Sequence, residues 1–264
     1  MPYRVDLHYR GDDALDRLVE LGAIDVECSQ DGGITALMPD SVAPGQVAGA
    51  LGVDGISVSP AAGRDAASVW ILNPRPIRIG QVRIAPAHTE AEPGVLRLVD
   101  GAAFGTGLHP TSALCLEALD AIVQIARPEA VLDVGTGSGV LALAALMLGV
   151  PRALAIDLDD GALREAAENA SLNGIADRLQ LARGGPETLT GTWPLVLANV
   201  VAASLIEMAP ALVRRVGHDG RLVLSGIPSC LEADVDRAYR DLGMRRVRPM
   251  SRGGWVALVL QASW

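Results

Sequence analysis

A glycine-rich turn near the middle of the chain constrains the fold more than any other feature. The apolar stretch Ala130–Val134 predicts a short buried strand, residues 135–139 contain three glycines, and residues 140–148 predict an apolar helix. Because glycine has no side chain, the backbone of such a turn can approach a bound ligand closely. A strand, a tight turn and a helix in this order predict a unit of a parallel α/β sheet.

The spacing of the glycines narrows the class of ligand. Asp133 and the three glycines follow the pattern Asp-x-Gly-x-Gly-x-Gly, which differs from the Gly-x-Gly-x-x-Gly of dinucleotide-binding enzymes. This pattern resembles the first motif of the class I methyltransferases that use S-adenosyl-L-methionine (AdoMet). AdoMet has no pyrophosphate, so we expect the turn to hold an amino-acid moiety and a ribose.

An acidic residue ends the next predicted strand. Asp157 follows the apolar residues 153–156 and lies about twenty residues after the glycines, where a carboxylate can accept both hydrogens of a ribose 2′,3′-diol. NAD and AdoMet both carry this diol, so Asp157 alone does not distinguish them. Together with the glycine spacing it favours AdoMet over the alternative, a plain turn with a solvated aspartate.

Two further segments carry polar groups that suit a binding pocket. Residues 103–111 contain Phe104, two glycines and two threonines; the alternative is that Thr111 only caps the following helix. Asn199 ends the predicted strand 195–198, at the strand end where open α/β sheets bind ligands. Its amide oxygen could face an amine, and the alternative is that Asn199 caps the next helix.

The pattern along the chain predicts two domains. Residues 1–60 alternate strands and helices in the order β-α-β-β-α-β, which is typical of a ferredoxin-like α+β domain. Residues 61–76, rich in Ala, Gly and Pro at their start, are predicted as a linker. Residues 77–264 alternate strands and helices, with six main strands after residue 129, and predict a doubly wound, Rossmann-like α/β sheet.

Composition excludes several classes of protein. The net charge is −9 with 22 basic residues, all arginine, against 31 acidic ones, so we expect a basic protein partner and no direct binding to nucleic acid. No apolar run is long enough for a membrane span and no export signal precedes residue 20, which predicts a cytoplasmic protein. The three cysteines lack metal-ligand spacing, and we expect no metal site.

Several motifs together resemble the ribosomal protein L11 methyltransferase (PrmA) family. The resemblance covers the catalytic part, from about residue 74 to the end, and the order of elements in residues 1–60 fits the small substrate-recognition domain of that family. The matching segments are residues 104–111, 114–117, 133–142, 156–159, 198–200 and 224–227.

The resemblance implies an enzyme that transfers methyl groups from AdoMet to the α-amine and lysine ε-amines of ribosomal protein L11. We assign Asn199 to positioning the amine or the methyl donor, Asp157 to the ribose and Asp133 to shaping the turn. The expected cofactor-binding residues are Phe104, Gly105, Thr106, Thr111, Asp133, Gly135, Thr136, Gly137, Gly139, Asp157 and Asn199.

Two other functions are compatible with the same motifs. One is a methyltransferase of the same superfamily that acts on another protein, a peptide or a small-molecule amine. The other is a regulatory protein that binds AdoMet without turnover and leaves every amine unmodified. A nucleic-acid methyltransferase is a weaker third alternative, because Asn199 is followed by two valines rather than by the Pro-Pro-Tyr/Phe typical of those enzymes.

Overall fold

The computed structural model describes residues 3–9, 14–23, 25–28, 33–39, 41–53, 55–60, 77–99 and 109–264. The chain divides into two compact units, Met1–Arg75 and Pro76–Trp264. The predicted linker, residues 61–76, lies outside the described residues. Within the described ranges, no helix is long and apolar enough to cross a membrane.

The first unit is a four-stranded antiparallel sheet with two helices. Its elements are β1 (Tyr3–His8), α1 (Ala14–Glu20), β2 (Asp25–Cys28), β3 (Gly33–Met38), α2 (Pro44–Leu51) and β4 (Ser57–Pro60). The sheet order is β2-β3-β1-β4, so the predicted ferredoxin-like plan is confirmed. Alternate residues of β1 and β3, such as Val5 and Ala36, are fully buried with Leu18 and Val47 of the helices, because successive strand residues point to opposite faces.

The second unit begins with a small three-stranded sheet and continues into the large one. The small sheet contains β5 (Ile77–Ile79), β6 (Val82–Pro86) and β7 (Val95–Leu98). The elements that follow are α3 (Pro110–Ile125), β8 (Ala130–Val134), α4 (Val140–Met147), β9 (Arg152–Asp157), α5 (Asp160–Leu172), β10 (Leu179–Arg183), β11 (Trp193–Asn199), α6 (Ala202–Val213), β12 (Val216–Pro228), α7 (Glu232–Arg240), β13 (Met244–Arg252) and β14 (Trp255–Ala262).

The large sheet has the order β10-β9-β8-β11-β12-β14-β13. Strands β8 to β12 run parallel to one another, while β14 pairs antiparallel with both β12 and β13. The predicted doubly wound α/β sheet is therefore confirmed. From β8 the chain proceeds outward to β9 and β10, and it then crosses back to β11 on the other side of β8, so the strand order reverses there. In open α/β sheets the carboxyl ends of the strands at such a switch point form the ligand crevice.

One strand of the large sheet was missed at the sequence level. Strand β13 lies at the edge and carries Arg245, Arg246, Arg248 and Arg252 as well as Pro249. Charged residues and proline are common on edge strands, where they discourage pairing with other chains. They also remove the apolar alternation that reveals a strand, so the sequence predicted six main strands where the sheet has seven.

Candidate active site

The glycine turn follows β8 at the switch point of the sheet. Gly135, Gly137 and Gly139 all have positive φ angles, of 70°, 54° and 83°, which L-residues with a side chain adopt only at a cost. The amides of Gly135 and Thr136 both donate to the Ile156 carbonyl, at 2.9 and 3.1 Å. A Cβ atom on Gly135 would lie 2.4 Å from Cγ1 of Val200, so this glycine is also required by the close approach of the loop after β11.

Asp133 holds the turn from inside the protein. Its side chain is fully buried, and its Oδ2 accepts hydrogen bonds from Thr136 Oγ1 at 2.6 Å and from the Ala142 amide at 3.2 Å. Burial raises the pKa of Asp133 to about 6, although the bonds from Thr136 and Ala142 act in the opposite direction. These contacts connect β8, the turn and the first residues of α4, in keeping with the turn-shaping role predicted for Asp133.

Asp157 extends from the end of β9 to the same turn. Its Oδ2 accepts from the Gly137 amide at 2.9 Å, and its Oδ1 accepts from the Asp159 amide at 3.0 Å. A carboxylate oxygen can accept more than one hydrogen bond, so both oxygens retain capacity for a diol. Asp159 itself caps α5, because its Oδ1 accepts from the Gly161 amide at 2.8 Å.

Asn199 ends β11, on the other side of β8 from Asp157. Its Nδ2 donates to Ser112 Oγ at 3.3 Å, and among the described residues its buried Oδ1 has no hydrogen-bond partner. The residue that caps α6 is Val201, so the alternative that Asn199 caps this helix is wrong. The amide oxygen of Asn199 therefore has capacity to accept a hydrogen bond at the switch point.

Thr111 is the only residue of its predicted group that the described part of the chain includes. Phe104, Gly105 and Thr106 lie outside the described residues, and their roles stay predictions. Thr111 is buried in the first turn of α3, with its Oγ1 2.8 Å from His109 Nδ1. His109 is the N-cap of α3, so the alternative in which Thr111 caps the helix is wrong.

Gly226 is a residue near this site to which the sequence analysis gave no role. It lies in β12 with φ of 84°, at an irregularity in the pairing with β14. A Cβ atom there would lie 2.2 Å from the Val200 carbonyl oxygen. The strand predicted from the sequence ended at Ser225, one residue before Gly226, so the sequence did not indicate this close approach. Gly226 and Gly135 thus hold Val200, next to Asn199, between them.

Comparison with known proteins gives the family. A model of the family described as ribosomal protein L11 methyltransferase (PrmA) matches residues 46–263. The ribosomal protein L11 methyltransferase of Pelobacter propionicus is 41% identical in an alignment of 212 residues that covers 76% of this chain and 68% of that protein. The corresponding protein of Myxococcus xanthus is 40% identical over 202 residues, 75% of this chain and 69% of that protein. The chain belongs to the PrmA family.

A solved structure agrees with this membership. The crystal structure of a ribosomal protein L11 methylase from Lactobacillus delbrueckii subsp. bulgaricus is 30% identical, with a TM-score of 0.66 over 72% of this chain and 99% of that one. As a member of the PrmA family, the chain is an AdoMet-dependent methyltransferase, and the predicted family, enzyme class and cofactor are confirmed. The individual site residues stay predictions.

Proposed function

We propose that this enzyme transfers methyl groups from AdoMet to the α-amine and lysine ε-amines of ribosomal protein L11. The main support for this proposal is that the glycine turn, Asp157 and Asn199 lie at the same switch point of the sheet. The relatives of this chain are also named for this activity. A ribosomal protein substrate would also place the enzyme in the cytoplasm, and the net charge of −9 favours a basic protein over nucleic acid.

The residues present fit AdoMet. The turn has three glycines whose backbone can approach a ligand closely, and the Asp157 carboxylate keeps acceptor capacity suited to a ribose diol. When bound, AdoMet supplies a methyl group on a sulfonium, which an amine can displace in line. Within the described residues no three His, Cys, Asp or Glu side chains group as metal ligands would, and this displacement needs no metal.

Asn199 suits the positioning of a neutral amine. The amine must lose its proton before it can attack, and a free lysine has a pKa of about 10.4. A carboxylate near the amine would favour the charged ammonium form, whereas a neutral amide oxygen accepts a hydrogen bond without adding that penalty. Ser112 accepts from Asn199 Nδ2, while Asn199 Oδ1 has no partner among the described residues and can accept a hydrogen bond from the amine. The enzyme contributes alignment of the two reactants, which is a large source of rate.

The charge distribution suggests a role for the first unit. Residues 1–60 contain three arginines against ten acidic residues, so they carry a charge of −7 out of the total of −9. A strongly acidic unit attracts a basic protein and increases its rate of association. We therefore propose that the first unit recognises the basic substrate, as the family resemblance implies, while the second unit holds AdoMet and performs the transfer.

The experiment is intact-mass analysis of purified ribosomal protein L11 after incubation with enzyme and AdoMet. We expect the mass to rise by about 14 Da for each N–H that becomes N–CH₃. Because the enzyme contains no lysine, ε-methylation can occur only on the substrate. Asp157→Ala should lower affinity for S-adenosylhomocysteine by about 2–3 kcal/mol. The control Asp159→Ala removes the same charge two residues later and should leave this affinity nearly unchanged.

The alternatives predict different outcomes of the same experiment. A regulatory protein would bind S-adenosylhomocysteine and leave ribosomal protein L11 unmodified. A methyltransferase for a different substrate would also leave this protein unmodified, yet would consume AdoMet when offered another amine. Either outcome would contradict the proposed substrate.

A further inference from the structure

Asn169 is a buried polar residue on α5 to which the mechanism above gives no role. Its side chain is fully buried, and both ends of its amide have a backbone partner. Nδ2 donates to the Ser138 carbonyl in the glycine turn at 2.9 Å, and Oδ1 accepts from the Val99 amide at 2.8 Å. Asn169 thus joins the turn to the residue that follows β7.

Asn173 makes a similar connection one helical turn later, away from the glycine turn. Its Oδ1 accepts from the Arg97 amide at 2.8 Å, and its Nδ2 donates to the carbonyls of Arg97 and Asn169, both at 2.7 Å. The two asparagines therefore hold the same strand end by the same chemistry. Only Asn169 contacts the glycine turn, and Asn169 is fully buried whereas Asn173, at the end of α5, is partly exposed.

Helix α5 packs directly against the turn beside this contact. A Cβ atom on Gly139 would lie 3.0 Å from the Cβ of Ala166, which is three residues before Asn169 and so on the same face of the helix. The turn is already fixed at Gly137 by Asp157. The bond from Asn169 fixes the next peptide group, at Ser138, from the direction of α5.

We propose that Asn169 is a positioning residue for the cofactor, because its bond to the Ser138 carbonyl holds the glycine turn in the conformation that binds AdoMet. This inference rests on the proposed function, since the turn must be the cofactor site. Asn169 acts through the backbone of the turn and has no contact with the substrate amine in the reaction.

The test compares Asn169→Asp with Asn173→Asp. The first variant keeps the acceptor for the Val99 amide but places an oxygen against the Ser138 carbonyl, so the two oxygens repel each other. The second makes the same chemical change against the Arg97 and Asn169 carbonyls. Calorimetric titration with S-adenosylhomocysteine, below the unfolding temperature of both variants, should give a dissociation constant about tenfold higher for Asn169→Asp and within about twofold of wild type for Asn173→Asp.

Kinetics separate positioning from general damage to the fold. Asn169→Asp should raise KM for AdoMet with a smaller effect on KM for ribosomal protein L11, whereas a structural loss would lower kcat in both variants alike. If the charged variant does not fold, Asn169→Ala and Asn173→Ala make the same comparison. Equal cofactor affinities in the paired variants would refute the inference.

Hydrogen exchange of the wild-type enzyme gives a test without any variant. Because Asn169 bonds both Ser138 and Val99, cofactor that orders the turn should also slow exchange of the Val99 amide. The Arg97 amide, bonded to Asn173, is the internal control and should change less. Equal changes at the two amides would count against the inference. If wild type fails to bind S-adenosylhomocysteine, or if Asp157→Ala binds it normally, the proposed function fails instead.

Discussion

Replacement of Asp133 by asparagine tests the electrostatic cost of the glycine turn. Asp133 is fully buried, and burial raises its pKa from the ordinary 3.8 to about 6. The two values differ by about two, and each pKa unit is worth about 1.4 kcal/mol, so ionisation of Asp133 destabilises the folded state by roughly 3 kcal/mol.

The sign of the pH dependence follows from the direction of this change. Well below pH 4 the carboxyl is protonated in both the folded and unfolded states, so its ionisation does not affect stability there. As pH rises from about 4 to about 6, the unfolded chain ionises while the folded chain holds its proton, so the stability of the wild-type enzyme falls. The asparagine side chain of the variant cannot ionise, and its amide oxygen can accept the bonds from Thr136 and Ala142 that Oδ2 of Asp133 accepts now. Its Nδ2 takes the place of Oδ1, which has no hydrogen-bond partner among the described residues, and the cost of this unpaired donor does not depend on pH. We therefore expect the free-energy difference between Asp133→Asn and wild type to shift in favour of the variant by up to about 3 kcal/mol across this pH range.

The assay is urea unfolding of both proteins at closely spaced pH values, followed by tryptophan fluorescence. Trp193, Trp255 and Trp264 all lie in the second unit, so the signal reports mainly on the unit that contains Asp133. The quantity to plot is the difference in free energy of unfolding between variant and wild type, because contributions of other carboxyl groups cancel in it. A difference that stays level from pH 4 to pH 7 would refute the reasoning.

Two predictions concern the loop after β11. Gly226→Ala should destabilise the enzyme by about 1–3 kcal/mol more than Gly191→Ala. Both glycines have positive φ (84° and 88°), but only a Cβ on Gly226 would overlap the Val200 carbonyl. Similar melting temperatures of the two variants would contradict this prediction. Asn199→Asp should move the pH dependence of methylation upward by about 1–3 pH units, because a carboxylate favours the charged amine. Single-turnover rates measured across pH should show this movement, and a uniform loss of rate at every pH would count against the role of Asn199.

The elements that we propose to bind the cofactor were predictable because local sequence determines them. A buried strand, three glycines and a following helix form a compact pattern, and Asp157 and Asn199 come directly after apolar strands. The structure brings Asp157 and the turn into contact, since the Gly137 amide donates to its carboxylate. Parallel strands align their carboxyl ends at one edge, so residues that end neighbouring strands lie near one another.

Contacts between distant segments were not predictable in this way. In the sequence, Asn169 and Asn173 are simply polar residues on a helix. Nothing local indicates that their amides pair with the backbone of residues 97–99, which lie 70 and 76 positions earlier in the chain. The register of β12 against the loop after β11 likewise depends on tertiary packing, so the overlap that Gly226 avoids could not be derived. Edge strand β13 was not predicted because most of its residues are exposed and polar, so its sequence lacks the alternation of apolar residues that indicates a strand.

The acidic first unit leads to a prediction about ionic strength. If residues 1–60 attract a basic substrate through their charge of −7, KM for ribosomal protein L11 should rise with salt, because the Debye length falls from about 30 Å at 0.01 M to about 8 Å at 0.15 M. We expect an increase of about tenfold over this range. The triple neutralisation of acidic residues in the first unit should weaken that dependence; a suitable set is Glu20→Gln, Asp31→Asn and Asp40→Asn.

A matched set in the second unit determines where the attraction arises. Neutralising the exposed residues Asp177, Glu187 and Asp241 removes the same amount of charge from the unit that we propose to hold the cofactor. If the first unit recognises the substrate, this second set should leave KM for ribosomal protein L11 and its salt dependence close to wild type, since the charges of the first unit are all retained. The dissociation constant of S-adenosylhomocysteine should stay constant in both sets, because the cofactor site is unchanged. If the two sets have equal effects on KM, the substrate responds to the net charge of the whole enzyme. Any recognition by the first unit would then depend on shape and apolar contacts rather than on its charge.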